Sequence, residues 1–135
     1  LKNIEKTATL PEKKINIELE QSKNIVRRLK RAFLKRAVQA KLVSDHMQNC
    51  KYKIILCGDF NDTPASYTYN LLTKKLKDSF IEKGNGFGRT YAGKWPKFRI
   101  DYVLHDEKLK CVEHTISSET YTDHYPISSK FILPN

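Results

Sequence analysis

The sequence predicts an α/β (α+β) domain in which helices pack on one face of a mixed β-sheet. Two patterns support this fold class. One long segment repeats its apolar residues at the spacing of an amphipathic helix, and several short segments have the apolar, β-branched character of strands. A third pattern bears on function, since acidic and amide side chains follow the first predicted strand in the stretch "CGDFNDTP" at residues 57–64.

Length and charge limit the classes of protein to which the chain can belong. At 135 residues it is long enough for one domain with a hydrophobic core. The net charge is +10, and it is concentrated in residues 1–53, which hold fourteen Lys or Arg residues against five Asp or Glu. Such a segment is either a surface that attracts phosphate groups or the solvated face of a helix, and the composition leaves both explanations open.

The cysteines and the hydropathy of the chain argue against several further classes. Cys50, Cys57 and Cys111 are odd in number and lack CxxC spacing, which argues against a disulfide framework and against a zinc site. No apolar run approaches the length of about eighteen residues that a membrane span needs. The chain as given is therefore expected to be soluble, while its localisation stays open because a signal or membrane anchor could precede Leu1.

The first element in chain order is predicted to be an arm and the second a helix. Residues 1–21 are polar, contain Pro11 and have no sustained hydrophobic period, which indicates a polar arm or loop. Residues 22–135 are predicted to form the domain. From Ser22 to about Gln48 the sequence predicts an amphipathic helix. Its apolar stripe consists of Val26, Leu29, Phe33, Ala37, Ala40, Val43 and Met47.

The remaining segments are predicted to be strands and one short helix. "YKIILCG" at residues 52–58 has the character of a buried strand, and Pro64 and Ser66 mark the start of the helix. The glycine-rich stretch at residues 78–96 is predicted to be a loop. Three further strands are "FRIDYVLH" at 98–105, "LKCVEHTI" at 109–116 and "YPISSKFIL" at 125–133.

Acidic residues and a histidine occur near three strand ends of the predicted sheet. Asp59 and Asn61 follow the first strand, Asp101 lies within the second, and Asp123 and His124 come just before the last. Carboxylates at such ends can converge on one edge of the sheet and hold a hard cation such as Mg²⁺ together with substrate phosphates. A lone acid after a glycine is often only a turn residue, but a charge inside an apolar strand needs a partner.

Three motifs together carry a family resemblance. "GDFND", "RIDYVL" and "TDHYPI", in this order and at these intervals, closely resemble the C-terminal half of the endonuclease/exonuclease/phosphatase superfamily of magnesium-dependent phosphodiesterases and phosphomonoesterases. The resemblance implies half of a four-layered αββα sandwich, completed by the N-terminal half of the same protein. The chain alone is then expected to be inactive, and its uncovered sheet face is expected to associate, for example as a homodimer.

The resemblance implies a role for each residue that matches a family motif. Asp59 corresponds to the carboxylate that positions or deprotonates the attacking water, and Asn61 to the amide that orients the nucleophile and the phosphate. His124 corresponds to the histidine that contacts the scissile phosphate, and Asp101 to the acid that holds this histidine. Asp123 matches the acid at or next to the metal.

The resemblance also implies a cofactor and substrate contacts. Mg²⁺ or Mn²⁺ would be held by Asp59 and Asp123, while the family's principal Glu ligand has no counterpart in this chain. Thr90 lies where family members often contact the phosphate or sugar. Arg99 ends the basic and aromatic stretch "GRTYAGKWPKFR" at residues 88–99, which is either a substrate-side loop or a set of aromatics packed over the sheet edge.

Two functional hypotheses follow from these observations. The first is the C-terminal portion of a metal-dependent phosphoesterase that hydrolyses phosphodiesters or phosphomonoesters with activated water. The alternative is a basic module that binds nucleic acid or another anionic surface without catalysis. Nucleic acid, a phospholipid head group and a sugar phosphate all suit the first hypothesis, and the sequence does not choose among them.

Overall fold

The computed structural model describes residues 10–94 and 96–133. The chain divides into two compact units, and the division falls between Lys35 and Arg36. One helix, α1 (Leu10–Gln48), continues through the division. Among the described residues, no helix is both long enough and apolar enough to cross a membrane.

Helix α1 begins earlier than the sequence pattern predicts. Residues 1–9 lie outside the described residues, but residues 10–21 are helical, so the prediction of a loop is wrong for them. Pro11 is compatible with this start because proline is tolerated in the first turn, where its missing N–H would have no helical partner. The Lys, Glu and Leu residues that follow it have good helix propensity. Residues 13–21 are exposed, including the apolar residues Ile15, Ile17 and Leu19.

The apolar stripe of α1 is buried over only part of its length. Val26, Leu29 and Phe33 are exposed, whereas Ala40 and Met47 are buried. The predicted stripe is therefore buried only toward the C-terminal end of the helix. A hydrophobic period identifies one face of a helix but does not specify what covers that face.

The elements after α1 confirm the predicted α/β class. In chain order they are β1 (Ile55–Asp59), α2 (Tyr67–Leu72), β2 (Leu76–Asp78), α3 (Ser79–Lys83), β3 (Asp101–Asp106), β4 (Lys110–Ile116) and β5 (Ile127–Ile132). The strands make two antiparallel groups, and β3 is the central strand of the larger group, with the order β1-β3-β2. The smaller group pairs β4 with β5.

Helix α3 lies in the stretch that was predicted to be a loop. Asp78 caps this helix, because its carboxylate accepts a hydrogen bond from the Phe80 N–H at 2.9 Å. A five-residue helix is too short to produce a hydrophobic period that can be recognised in the sequence. The loop prediction is therefore wrong for Ser79–Lys83, because this helix is too short to be recognised from its sequence.

The core of the second unit is built around β3. Tyr102 and Leu104 of this strand are almost wholly buried, and they cluster with Leu72 of α2, Leu76 of β2 and Met47 of α1. Burial of these five side chains supplies the hydrophobic stabilisation that fixes β3 against its neighbours. A rigid β3 matters for function because one of the candidate site residues is its first residue.

The register of the sheet places two candidate acids side by side. In the antiparallel pairing of β1 with β3, Asp59 at the end of β1 is the partner of Asp101 at the start of β3. Residues that are direct partners across an antiparallel pair have their Cβ atoms about 4.5–5.5 Å apart. The two carboxylates therefore share one edge of the sheet, as the motif order predicts.

Candidate active site

Asp59 is held in a turn that leaves its carboxylate beside Asn61. The Asn61 backbone N–H donates to Asp59 Oδ1 at 2.7 Å, and the Asn61 side-chain amide donates to Asp59 Oδ2 at 3.1 Å. Asn61 has a φ of 49°, a left-handed conformation that asparagine adopts more readily than most residues. Asn61 thus fixes both oxygens of Asp59 from a conformation that few other side chains tolerate.

Asp101 and His124 form a direct hydrogen bond. His124 Nδ1 lies 2.9 Å from Asp101 Oδ2, and because an ionised carboxylate only accepts, the ring nitrogen donates. His124 Nε2 then points to the other acid, with a distance of 4.0 Å to Asp59 Oδ2. Asp59, Asp101 and His124 each offer one metal-ligating atom, and these atoms lie within 4.8 Å of one another.

Electrostatics favour the protonated form of His124. The hydrogen bond to Asp101 is the largest cause of a raised His124 pKa, and partial burial opposes it. The negative charges of Asp59 and Asp123 raise the pKa further. The His124 side chain is 28% exposed. In the protonated form of the ring, Nε2 would carry a proton and could act as a donor.

Thr90 connects the strand that carries Asp101 to the segment that carries His124. Its hydroxyl oxygen accepts hydrogen bonds from the backbone N–H groups of Ile100 at 3.0 Å and Asp101 at 3.1 Å. Its carbonyl oxygen accepts from the Tyr125 N–H at 2.7 Å. Thr90 is 1% exposed, so its placement supports a positioning role rather than the predicted contact with phosphate.

Two further loop residues help to place His124. The ring of Tyr91 packs edge-on against the His124 ring with 5.7 Å between centroids, and the two residues also form a backbone bridge. Arg89 donates to the carbonyl oxygens of Tyr91, Ala92 and Gly93, which holds the loop in shape. Neither role can be predicted from local sequence patterns, because both depend on contacts made only in the folded loop.

The Arg99 side chain is buried, and its guanidinium contacts one acidic side chain and several aromatic rings. Its guanidinium is 2.6 Å from Asp78 Oδ2, and the two side chains are 7% and 3% exposed. It also lies over the rings of Phe80 at 4.7 Å and Tyr102 at 4.8 Å. The prediction of substrate binding requires an accessible cation, which this buried ion pair does not provide, and the placement supports a structural role.

The remaining predicted residues differ in how they are placed. Asp123 is exposed, and its backbone carbonyl accepts from the Ala92 N–H at 2.7 Å. Its carboxylate does not belong to the cluster of Asp59, Asp101 and His124, although its charge acts on His124. Asp62, the other acid of "GDFND", is buried beside Arg36, with 3.2 Å between Asp62 Oδ2 and Arg36 Nε.

The fold and the three-residue cluster together define the class of protein. The sequence from residue 31 to residue 124 matches the Endonuclease/Exonuclease/phosphatase family. The match covers more than half of the chain, so the chain belongs to this family. The search of curated proteins gave no match.

Three of the solved structures with a similar fold come from Bacteroides thetaiotaomicron and Enterococcus faecalis. A mannosyl-6-phosphatase from Bacteroides thetaiotaomicron VPI-5482 is 20% identical, with a TM-score of 0.63 over 73% of this chain and 46% of that chain. A conserved protein of unknown function from Enterococcus faecalis V583 is 18% identical, with a TM-score of 0.65 over 73% and 44%. An endonuclease/exonuclease/phosphatase family protein from Bacteroides thetaiotaomicron is 20% identical, with a TM-score of 0.63 over 71% and 44%.

These similarities bear on the fold and on the extent of the chain. At such low identity they establish a shared fold and no more. The chain matches less than half of the length of each of these three proteins.

Proposed function

We propose that the chain is the C-terminal portion of a divalent-metal-dependent phosphoesterase. The observation that carries this proposal is the convergence of Asp59, Asp101 and His124, which come from the end of β1, the start of β3 and the segment before β5. Turn capping explains the hydrogen bonds between Asp59 and Asn61, but it does not explain a carboxylate paired with a histidine from a distant segment. The cluster thus has the geometry of a site rather than of a turn.

In the proposed mechanism the side chains divide the chemistry of ester hydrolysis. The Asp59 carboxylate positions a water molecule and accepts its proton as the water oxygen bonds to phosphorus. The bond to the ester oxygen breaks, and the leaving alkoxide takes up a proton from solvent water. Asn61 keeps Asp59 oriented through its two hydrogen bonds. His124 donates from Nε2 to a phosphate oxygen, where negative charge density grows in the transition state. Asp101 positions His124 and favours its protonated form.

We keep Asp59 and Asp123 as the proposed ligands of a hard divalent cation, although the Asp123 carboxylate lies outside the cluster of Asp59, Asp101 and His124. Mg²⁺ and Mn²⁺ prefer oxygen ligands, and carboxylates with bound waters are their usual partners in proteins. Two carboxylates are too few for a complete protein site, so we place the principal Glu ligand outside this chain. When bound, the cation would neutralise negative charge on the phosphate oxygens.

The chain covers less than half of each similar solved structure, which supports the proposal that it needs a second half to complete the domain. The chain covers 44–46% of the three similar structures, and it lacks a counterpart of the principal Glu ligand. The 135-residue chain alone is therefore expected to be inactive, with the N-terminal half of the same protein as its partner.

The proposed substrate is a phosphate ester. A solved structure with the same fold is named a mannosyl-6-phosphatase, which makes sugar phosphates the first class to test. Nucleic acids and phospholipid head groups are the other two classes that the proposed chemistry would accept, since each presents a phosphorus atom to an activated water.

The alternative function rests on the basic residues of α1. Many of its Lys and Arg side chains are exposed, among them Lys23, Arg27, Arg28, Lys30 and Arg31. Exposed basic side chains can attract nucleic acid or another anionic surface, but they are equally the normal solvated face of a helix. The convergent cluster supports the phosphoesterase more specifically.

Replacing His124 with Ala tests the proposed function. The assay uses the protein with the sequence that precedes Leu1 included, and it measures phosphate release from a sugar phosphate and alcohol release from a phosphodiester with Mg²⁺ or Mn²⁺ present. We expect the His124→Ala change to lower turnover by about a hundredfold to a thousandfold, because a single preorganised donor to the transition state contributes about 3–4 kcal/mol.

A matched control tests whether replacing a histidine elsewhere in the chain has the same effect on turnover. His46 lies in the last turn of α1 and is exposed, so His46→Ala should leave turnover within about twofold of the original. Hydrolysis that is unaffected by His124→Ala would contradict the proposed role of His124. Absence of any hydrolysis, combined with tight binding of single-stranded nucleic acid, would favour the alternative.

A further inference from the structure

A second cluster of metal-binding side chains lies at another place in the fold. Glu82 of α3, His105 of β3 and Cys111 of β4 each offer one ligand atom, and these atoms lie within 4.8 Å of one another. His105 is four residues along β3 from Asp101, which separates the two clusters by about 13 Å at the rise of an extended strand. We propose that Glu82, His105 and Cys111 bind a borderline transition-metal ion, with Zn²⁺ as the best match.

The hydrogen bonding of His105 supplies the first reason. His105 is wholly buried, and its Nδ1 lies 2.9 Å from the Asp106 carbonyl oxygen. A carbonyl oxygen only accepts, so Nδ1 carries a proton and a neutral His105 has its lone pair on Nε2. Histidines that bind metals commonly donate their other ring N–H to a backbone carbonyl in this way. The ring is thus already in the tautomer that a metal ligand needs.

The surroundings of Nε2 supply the second reason. Within the part of the chain that the structure describes, the buried His105 Nε2 makes no hydrogen bond of acceptable geometry. It nevertheless lies 3.1 Å from Glu82 Oε2. Two acceptor atoms at this distance repel each other unless a cation lies between them or the ring takes up a second proton. A bound metal ion would satisfy both atoms at once.

Cys111 supplies the third ligand, and its chemistry decides the kind of metal. The side chain is 2% exposed, and the pairing of β4 with β5 is irregular between Cys111 and Glu113. Such a bulge turns a side chain away from the regular alternation of a strand. A thiolate, an imidazole and a carboxylate together suit Zn²⁺, whereas Mg²⁺ prefers oxygen ligands alone. The cluster therefore differs in chemistry from the Asp59 and Asp123 carboxylates.

A cavity gives an ion access to the cluster. Glu82 and Cys111 both line a cavity of about 380 Å³, which also has Lys77, Lys83 and Lys110 in its wall. Three protein ligands leave one position of a tetrahedral Zn²⁺ open. The three lysines would favour water or a small anion at that position.

An ion pair without metal is the competing explanation of the same geometry. A doubly protonated His105 would pair directly with Glu82, and Lys77 already lies 3.5 Å from the other oxygen of this carboxylate. In that arrangement the Cys111 thiol keeps its hydrogen bond to the Glu113 carbonyl oxygen at 3.5 Å, and the cluster has no affinity for Zn²⁺. The two explanations therefore differ in whether the thiol responds to a metal.

Metal titration of the full chain, reduced and freed of metal with a chelator, tests the proposal. Co²⁺ is added first, because a thiolate bound to Co²⁺ gives a charge-transfer absorption in the near ultraviolet, and Zn²⁺ is then added in competition. We expect one equivalent of Co²⁺ to produce this absorption and Zn²⁺ to abolish it. Cys111→Ser should remove the absorption, and Glu82→Gln should weaken Zn²⁺ binding by at least about tenfold to a hundredfold.

Control variants identify the ligands. Cys50→Ser removes an exposed thiol, and Glu107→Gln removes a carboxylate that lines the same cavity, so neither change should alter binding. Circular dichroism checks that each variant is folded. If the buried Cys111→Ser variant fails to fold, Glu82→Gln decides the matter, because the Glu82 side chain is 30% exposed and tolerates replacement.

Three results would overturn the proposal. The first is the absence of any thiolate absorption with Co²⁺. The second is an absorption that persists in Cys111→Ser and disappears when Cys50 or Cys57 is replaced. The third is Zn²⁺ binding that is lost in Asp59→Asn but unchanged in Glu82→Gln, which would assign the ion to the candidate active site instead.

Discussion

At the scale of single residues, the hydrogen bond between Asp101 and His124 determines what the candidate site can do. It fixes which ring nitrogen donates to the carboxylate and leaves Nε2 facing Asp59. It also raises the pKa of His124, which favours the imidazolium that the proposed mechanism uses as a donor. Replacing Asp101 should therefore change the pKa and the orientation of His124, although Asp101 is not proposed to contact the substrate.

The pKa of His124 can be measured directly in the metal-free chain. Because the pKa is raised above 6.5, its value for an unperturbed histidine, the pair's contribution to stability is fully present below about pH 6.5. This contribution is lost as the pH rises through the higher pKa of the folded state. NMR titration with a chelator present should give a pKa above 6.5 for His124 and a lower pKa in the Asp101→Asn variant. Equal pKa values in the two proteins would contradict this account of the pair.

Residue types and motif order predicted some of the site and not the rest. Asp59, Asp101 and His124 were expected to converge because they lie at strand ends, and the structure brings them together, while their catalytic roles stay predictions. Thr90 is a predicted substrate contact because it lies where members of the similar family often contact the phosphate or sugar, and Arg99 because it ends a basic and aromatic stretch. Their burial depends on tertiary contacts with residues distant in sequence, which no local pattern encodes.

At the scale of elements, a buried ion pair ties the β2–α3 corner to the loop before β3. Asp78 accepts from Arg99 at 2.6 Å, from the Tyr69 hydroxyl at 2.9 Å and from the Phe80 N–H at 2.9 Å. Each of these donors comes from a different part of the second unit. The loss of this one carboxylate would leave the buried Arg99 without its ion-pair partner.

The Asp78→Ala change should therefore be strongly destabilising. We expect it to lower the free energy of unfolding by about 3–5 kcal/mol, because it leaves an uncompensated charge in the interior. Glu113→Ala is the matched control, since it breaks an exposed pair with Lys130 at 2.8 Å and should cost less than about 1 kcal/mol. Urea denaturation measures both changes. A similar small loss for the two variants would mean that Asp78 is not structurally important.

Element prediction succeeded where a segment was long or periodic. The strands β1, β3, β4 and β5 lie within the segments that alternation and β-branched content indicate, apart from one residue at the end of β1 and one at the end of β3. The early start of α1 and the existence of α3 were missed. The first carries its apolar residues Ile15, Ile17 and Leu19 at a spacing of two, which is not a helical period, and the second is a short helix defined by the Asp78 cap. Neither helical segment produces a hydrophobic period, so neither can be recognised from the spacing of apolar residues.

At the scale of the whole molecule, exposed apolar side chains predict self-association. Leu29 and Leu34 of α1 are 51% and 61% exposed, and other large apolar residues of the helix are similarly exposed. Such surface is costly in water and commonly marks an interface. We expect light scattering to show a mass that rises with protein concentration for the 135-residue chain.

Paired variants test whether apolar contact causes this association. Leu29→Glu combined with Leu34→Glu should reduce the association, because it removes apolar surface and adds charge. Lys30→Glu combined with Lys35→Glu alters charge on neighbouring exposed positions of the same helix and leaves the apolar surface in place, so association should persist. A monomer at all concentrations for the original chain would contradict the prediction.

The central claim is that Asp101 and His124 act as one unit in phosphate ester hydrolysis, and a double-mutant cycle tests it most directly. The kcat/KM values, measured with the proposed N-terminal half present, are compared for the original, Asp101→Asn, His124→Ala and the double variant. If Asp101 acts through His124, the double variant should be hardly slower than His124→Ala alone. Full activity of Asp101→Asn, or losses that multiply independently, would contradict the claim and leave Asp101 as a structural acid.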